Sequence, residues 1–196
     1  VCSTYDTART QIDKVIAQAE PQLVWLATTL TNGQISHLQR KQVDSNADWK
    51  KEWVDVTPDK LRELRFKQLS TRAETFYGTL EAPQKAALTT FIAQSSFEPQ
   101  RTYAERLRRQ KDLVEVLQKI AKDRTNTEQA RTLVRGYLAR FNASPDVAYQ
   151  RYVETLVTEG CEGLARVHNT MTTAQRVKAV QSLQGYSQDF LLLAGR

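Results

Sequence analysis

The stretch TPDKLRELRFKQLSTRAETFYGTL, residues 57–80, decides the fold class. Thr57 is placed to cap a helix, and Pro58 follows at the first helical position, where a missing amide donor costs nothing. Phe66, Leu69, Ala73, Phe76, Tyr77 and Leu80 then step by three and four. That is one apolar stripe of a helix, facing a core.

The same start signal, Thr-x-x-(Gln/Glu/Lys), recurs outward along the chain at Thr31–Gln34, Thr125–Glu128 and Thr172–Gln175. Where Gln or Glu stands fourth, the pattern is a capping box: the Thr hydroxyl accepts the N3 amide, and the Gln or Glu side chain returns to the N-cap amide. Thr31, Thr57, Thr125 and Thr172 are therefore the expected N-caps. Pro83, Pro99 and Pro145 lie equally close to helix starts, whereas Pro21 falls inside a helical pattern and is expected to kink or divide it. Further helical stripes run through Tyr103, Leu107, Val114, Leu117 and Ala121, and through Tyr149, Tyr152, Val153, Leu156, Val157, Gly160 and Leu164. The last comprises Val177, Val180, Leu183, Phe190, Leu191 and Ala194. No period-2 strand is present. The spacing predicts helices at about 4–30, 32–53, 58–79, 82–95, 99–123, 127–142, 145–170 and 173–193, each with a face toward a core. The expected fold is all-α: an elongated, antiparallel bundle of about eight helices in a single domain over 1–196, because the connections are short and no linker divides them.

Composition agrees. The chain has 196 residues, with 7 Gly and 5 Pro. Average usage would give about 24 of these two together, and the shortage argues against a sandwich, a barrel or any turn-dense fold. The 26% charged and 40% hydrophobic residues exclude wholesale disorder. No apolar run approaches the roughly 18 residues of a membrane span. The net charge of +6 is spread along the chain and permits, without demanding, an anionic partner.

Chemistry-bearing residues are few. His37 and His168 have no partner at a spacing that would orient a catalytic imidazole. Asp44, Asp48 and Glu52 form an i, i+4, i+8 row, but a straight helix face offers a hard cation too few oxygens, and the row reads as solvated. Trp49 and Trp53, with Asn46 one turn before, read as core aromatics. Arg101, Arg106, Arg108, Arg109 and Lys111 make the densest basic run. The interleaved Glu105 and Glu115 pair it at helical distance, as Glu105–Arg109 and Glu115–Lys119, so it reads as a solvated face rather than a nucleic-acid surface. No nucleophile elbow, zinc-protease, phosphate-loop or dinucleotide motif occurs. No catalytic residue, cofactor or metal is expected. Gly160-Cys161-Glu162-Gly163 places two glycines within one helical turn, which costs about 1 kcal/mol each relative to alanine. Small residues there admit another segment closely, and the segment carrying Cys2 is the candidate. Cys2 and Cys161 have no metal spacing; isolated cysteines of this kind are small buried apolar residues, or a pair in an oxidising compartment.

Leu30-Thr31-Asn32-Gly33-Gln34, with Leu38, Ser45-Asn46-Ala47 and Glu52-Trp53, resembles an uncharacterised family of proteobacterial lipoproteins with Leu-(Ser/Thr)-x-x-Gln turns. The resemblance continues through 76–84 and returns at His168-Asn169, 172–176 and Gly185-Tyr186. The Leu-Thr-x-x-Gln turn is also similar to that of Spy/CpxP-type periplasmic helical proteins. The resemblance implies a periplasmic, membrane-anchored protein whose signal and lipid-bearing region lies outside this stretch, with Cys2 matching an internal cysteine. It implies an oxidising compartment, in which Cys2 and Cys161 are expected to form a disulfide. It supplies no activity. The expected function is a non-enzymatic envelope protein that binds or scaffolds an unknown protein or envelope partner. The alternatives are a chaperone-like binder of unfolded periplasmic proteins, which requires an exposed apolar or basic concave surface, and a basic nucleic-acid-binding protein.

Overall fold

A computed structural model describes residues 2–195. The described residues form eight α-helices and one π-helical turn, with no strand. These are α1 (Cys2–Thr29), α2 (Asn32–Trp49), the π turn Lys50–Val54, α3 (Pro58–Tyr77), α4 (Ala82–Gln94), α5 (Pro99–Lys122), α6 (Thr127–Asn142), α7 (Val147–Asn169) and α8 (Thr173–Ala194). No described helix is long and apolar enough to cross a membrane.

The start signals work as their chemistry requires. Thr31 and Thr172 each accept the amide three residues on, at 3.2 Å, while Gln34 and Gln175 return to the cap amides at 2.8 and 2.9 Å. Thr57 accepts from the Lys60 amide at 3.3 Å. Thr125 is not an N-cap. Asn126, the next residue, takes that role by accepting the Gln129 amide at 3.0 Å, and the Thr125 hydroxyl turns back to the Asp123 carboxylate. Asn caps at least as well as Thr, and Asn126-x-x-Gln129 keeps the box spacing. Pro21 does not divide α1, which runs through it unbroken. Pro21 and Ala17 both lie on the exposed side, so the carbonyl that loses its intrahelical donor is left to water. After α3 the chain turns at Gly78, whose φ of 75° is the only positive one among the described residues.

The chain groups into two compact units. One comprises residues 2–56 and 97–155, the other 57–96 and 156 onward. The first holds α1, α2, the π turn, α5, α6 and the start of α7, with α1 packed chiefly on α6 and α2 on α5. Its core is Val24, Ala27, Ile35, Val114, Val116, Leu117, Ile120, Ala130 and Val134. The second holds α3, α4, the rest of α7 and α8, with α3 packed on both α4 and α8. Its core is Leu80, Leu88, Ile92, Val167 and Met171.

In that second unit α8 departs from expectation. Its stripe does not enter a core: Val177, Val180 and Leu183 are more than half exposed, and Phe190 and Leu191 are 70% and 71% exposed. Where described, only Gln175 of this helix is buried. The unit's small core is filled by α3, α4 and α7, which leaves most of α8's apolar side chains in contact with water.

Candidate functional site

α3 supplies Leu69, Ala73 and Phe76 from the stripe that decided the fold, and α7 supplies Gly160, Gly163 and Leu164. With Leu183 and Ala179 of α8 they line an open groove of about 460 Å3 in the second unit. Arg72 is the one charged residue of the lining. It makes no ion pair among the described residues. α8 is held on α3 beside the groove by the Ser182 hydroxyl, which donates to the Phe76 carbonyl at 3.2 Å, and by the Phe76–Tyr186 ring pair at 5.9 Å.

The two glycines of α7 act differently. A Cβ on Gly163 would lie 2.4 Å from the Phe91 ring, so this glycine lets α4 close on α7. A Cβ on Gly160 would meet nothing within 4 Å. The close approach expected of the segment carrying Cys2 is made at Gly163 by α4, through Phe91, whereas Gly160 opens onto the groove.

The groove's edge carries His168. Its Nδ1 lies 2.9 Å from the Tyr77 hydroxyl, and the rings are tilted at 56°. Burial pushes the Tyr77 hydroxyl above its ordinary range, with Arg176 opposing, so the phenol stays protonated at neutral pH. His37 is exposed on α2.

In the first unit the basic run is a solvated face only in part: Arg101 and Lys111 are exposed, whereas Arg106, Arg108 and Arg109 are half-buried. Glu105 is 5% exposed and accepts from Arg108 at 2.7 and 2.8 Å, from Arg109 at 2.8 Å and from the Ser144 hydroxyl at 3.1 Å. Burial pushes its carboxyl up, and the two guanidiniums overcome that and hold it below the ordinary value of 4.5. Arg106 binds Asn46 at 2.7 Å and Ser45 at 2.8 Å, and Asn46 exchanges hydrogen bonds with Gln110 at 2.6 and 3.1 Å. Arg101 pairs with Glu98 at 3.6 Å. Lys111, not Lys119, is the partner of Glu115, at 3.9 Å. These side chains bind α5 to α2 and to the α6–α7 turn. Trp49 stacks on Trp53 at 6.3 Å and on Tyr103 at 5.6 Å, and all of them are partly buried or shielded by one another. The π turn, in which the Asp55 amide reaches the Lys50 carbonyl at 2.9 Å, sets the two indoles on one side. Asp44, Asp48 and Glu52 are exposed, and no group of three or more His, Cys, Asp or Glu among the described residues is placed to hold a metal. Neither Cys2 nor Cys161 is a free thiol.

The fold and the groove define an all-α protein with an open apolar concavity on α3, α7 and α8. The chain belongs to a family of unknown function, DUF6279, whose model matches residues 3–137. The match takes in the Thr31 and Thr57 turns and α3, and leaves out α7 and α8. No curated protein and no solved structure matches the chain.

Sequence reasoning found most of the groove's apolar residues, assigning them to a core. It missed Arg72, one of several arginines on α3, and it missed Glu105 as a buried anchor. The odd Gly160–Gly163 pair was the one signal that pointed here.

Proposed function

We propose that the protein is a non-enzymatic, lipid-anchored binding protein of the proteobacterial cell envelope, and that the groove of α3, α7 and α8 is its binding surface. The observation that carries this reading is the groove itself: an open apolar concavity of about 460 Å3, continued by an apolar helix face that meets water. Exposed apolar area of this kind on a folded chain marks an interaction site. Support for the envelope comes from the likeness to proteobacterial lipoproteins and from cysteines that are not free thiols, which suits an oxidising compartment. The arginines of the basic run are engaged by Glu105, Asn46, Ser45 and Glu98, which disfavours a nucleic-acid surface.

A neutral environment-sensitive dye, N-phenyl-1-naphthylamine, tests the reading. The expected result is saturable fluorescence enhancement with the full chain and its loss in Leu183→Asp, which places a charge in the groove at an exposed position of small folding consequence. No enhancement, or enhancement unchanged by Leu183→Asp, overturns it. The exposed face of α8 also supports the chaperone-like reading, in the manner of Spy/CpxP-type proteins. Suppressed aggregation of an unrelated unfolded client, lost in the same variant, would favour that over a dedicated ligand.

A further inference from the structure

We propose that the groove binds a single-chain anionic amphiphile, a long-chain fatty acid as its carboxylate, with Arg72 meeting the head group and Gly160 leaving room for the chain. The inference rests on the reading of this groove as the binding surface and adds the ligand class.

Three observations converge on it. The first is lining and size. The groove of about 460 Å3 is lined by apolar side chains apart from Arg72, the surface that an alkyl chain requires. That volume lies within the roughly 300–1,000 Å3 of small-molecule sites. The second is Gly160. A glycine inside a helix costs about 1 kcal/mol relative to alanine. Gly160 has no positive φ to require it, and no neighbour that a Cβ would strike. Nothing in the packing of the second unit needs a glycine there, whereas Gly163 is needed for Phe91. What the missing side chain leaves is open groove.

The third is charge. Arg72 lines an otherwise uncharged hollow and has no carboxylate partner among the described residues. An acyl chain lying beside it excludes water and strengthens its attraction for an anion. The neighbouring hollow, which shares Phe91 and Gly163, is lined by Glu159, Glu162 and Arg166, and its Arg166 is already paired with Glu162 at 3.7 Å. Within the groove's own lining the charge is at Arg72 alone, and the head group belongs there. A carboxylate matches the flat, two-pronged guanidinium.

The test displaces N-phenyl-1-naphthylamine from the full-length chain with palmitate and with the uncharged hexadecanol, in the native protein, Gly160→Leu and Arg72→Gln. Palmitate is expected to displace the dye at lower concentration than hexadecanol in the native protein. Gly160→Leu is expected to melt no lower than the native protein, since leucine favours the helix and its Cβ meets nothing within 4 Å, and to lose both dye and palmitate. Arg72→Gln is expected to keep the dye and to weaken palmitate about tenfold, bringing it level with hexadecanol, as loss of one charge-assisted contact requires. Palmitate no better than hexadecanol in the native protein, or unchanged in either variant, overturns the proposal. Dye binding that palmitate never competes for removes the fatty acid and leaves the binding surface standing. Absence of dye binding removes both.

Discussion

Gln84 and Gln175 hold each other's loops. Each returns its side-chain oxygen to the cap amide of its own helix, at 2.8 and 2.9 Å. Gln84 Nε2 then donates to the carbonyl of Thr170, before α8, and Gln175 Nε2 donates to that of Thr79, before α4, at 2.9 Å. The starts of α4 and α8 are thus one hydrogen-bonded assembly at the base of the second unit. Gln84 is fully buried and Gln175 nearly so. Replacing Gln84 by Leu takes the partner from the Glu81 amide and the Thr170 carbonyl, and should cost about 1–3 kcal/mol in urea unfolding. Gln175→Leu should cost about the same, and the double variant less than the sum, because each single change already loosens the other's loop.

The correction at the start of α6 makes a sharp comparison. Asn126→Ala should destabilise by about 1 kcal/mol, and Thr125→Ala by no more than a few tenths. At α2, Thr31→Ala should cost about 1 kcal/mol and Thr31→Ser little. Thermal melts showing equal losses at 125 and 126 would contradict the assignment of the cap.

Glu105 makes the first unit acid-sensitive. Its folded carboxyl titrates below its ordinary value, so the unfolded chain takes up the proton at higher pH than the folded one. The stability it contributes is therefore present above about pH 4.5, its ordinary value, and is lost as pH falls through the folded value. Glu105→Gln should flatten the fall of the urea midpoint on that acid side. At neutral pH it should cost about 2 kcal/mol, less than a fully buried pair, because water reaches Arg108 and Arg109.

The cysteines of the native protein are expected to form one bond, Cys2–Cys161. Non-reducing mass spectrometry of protein from an oxidising compartment should show the mass two hydrogen atoms below that of the reduced chain, and a single linked peptide pair after digestion. On the chain-entropy account a loop this long contributes about 5 kcal/mol, so reductant should lower the melting temperature markedly. Two alkylatable thiols in the native protein would sink the assignment.

Helix existence and most helix starts were legible because both are local: a threonine with a glutamine three residues on, or a proline after a cap, needs no tertiary partner. The errors arise where partners decide. Of the kink or division expected at Pro21, the division does not occur: α1 runs on, with Pro21 and Ala17 both exposed, which periodicity does not report. The stripe of α8 has the spacing of a core helix, yet the space it would fill beside α3 is left open. Glu105 resembles any other acid in a basic run until Ser144, from 39 residues away, closes over it. The division into two units left no mark either, since the connections around residues 56 and 96 are as short and polar as the rest.

The stack of Trp49, Trp53 and Tyr103 has a spectroscopic corollary. All three tryptophans, Trp25 included, belong to the first unit, and the second has none. Intrinsic indole emission therefore watches α1 and α2 and is blind to events beside α3 and α8. A denaturation curve read by emission reports one half of the molecule, while far-ultraviolet dichroism reports both. Any gap between the two curves measures how independently the halves melt.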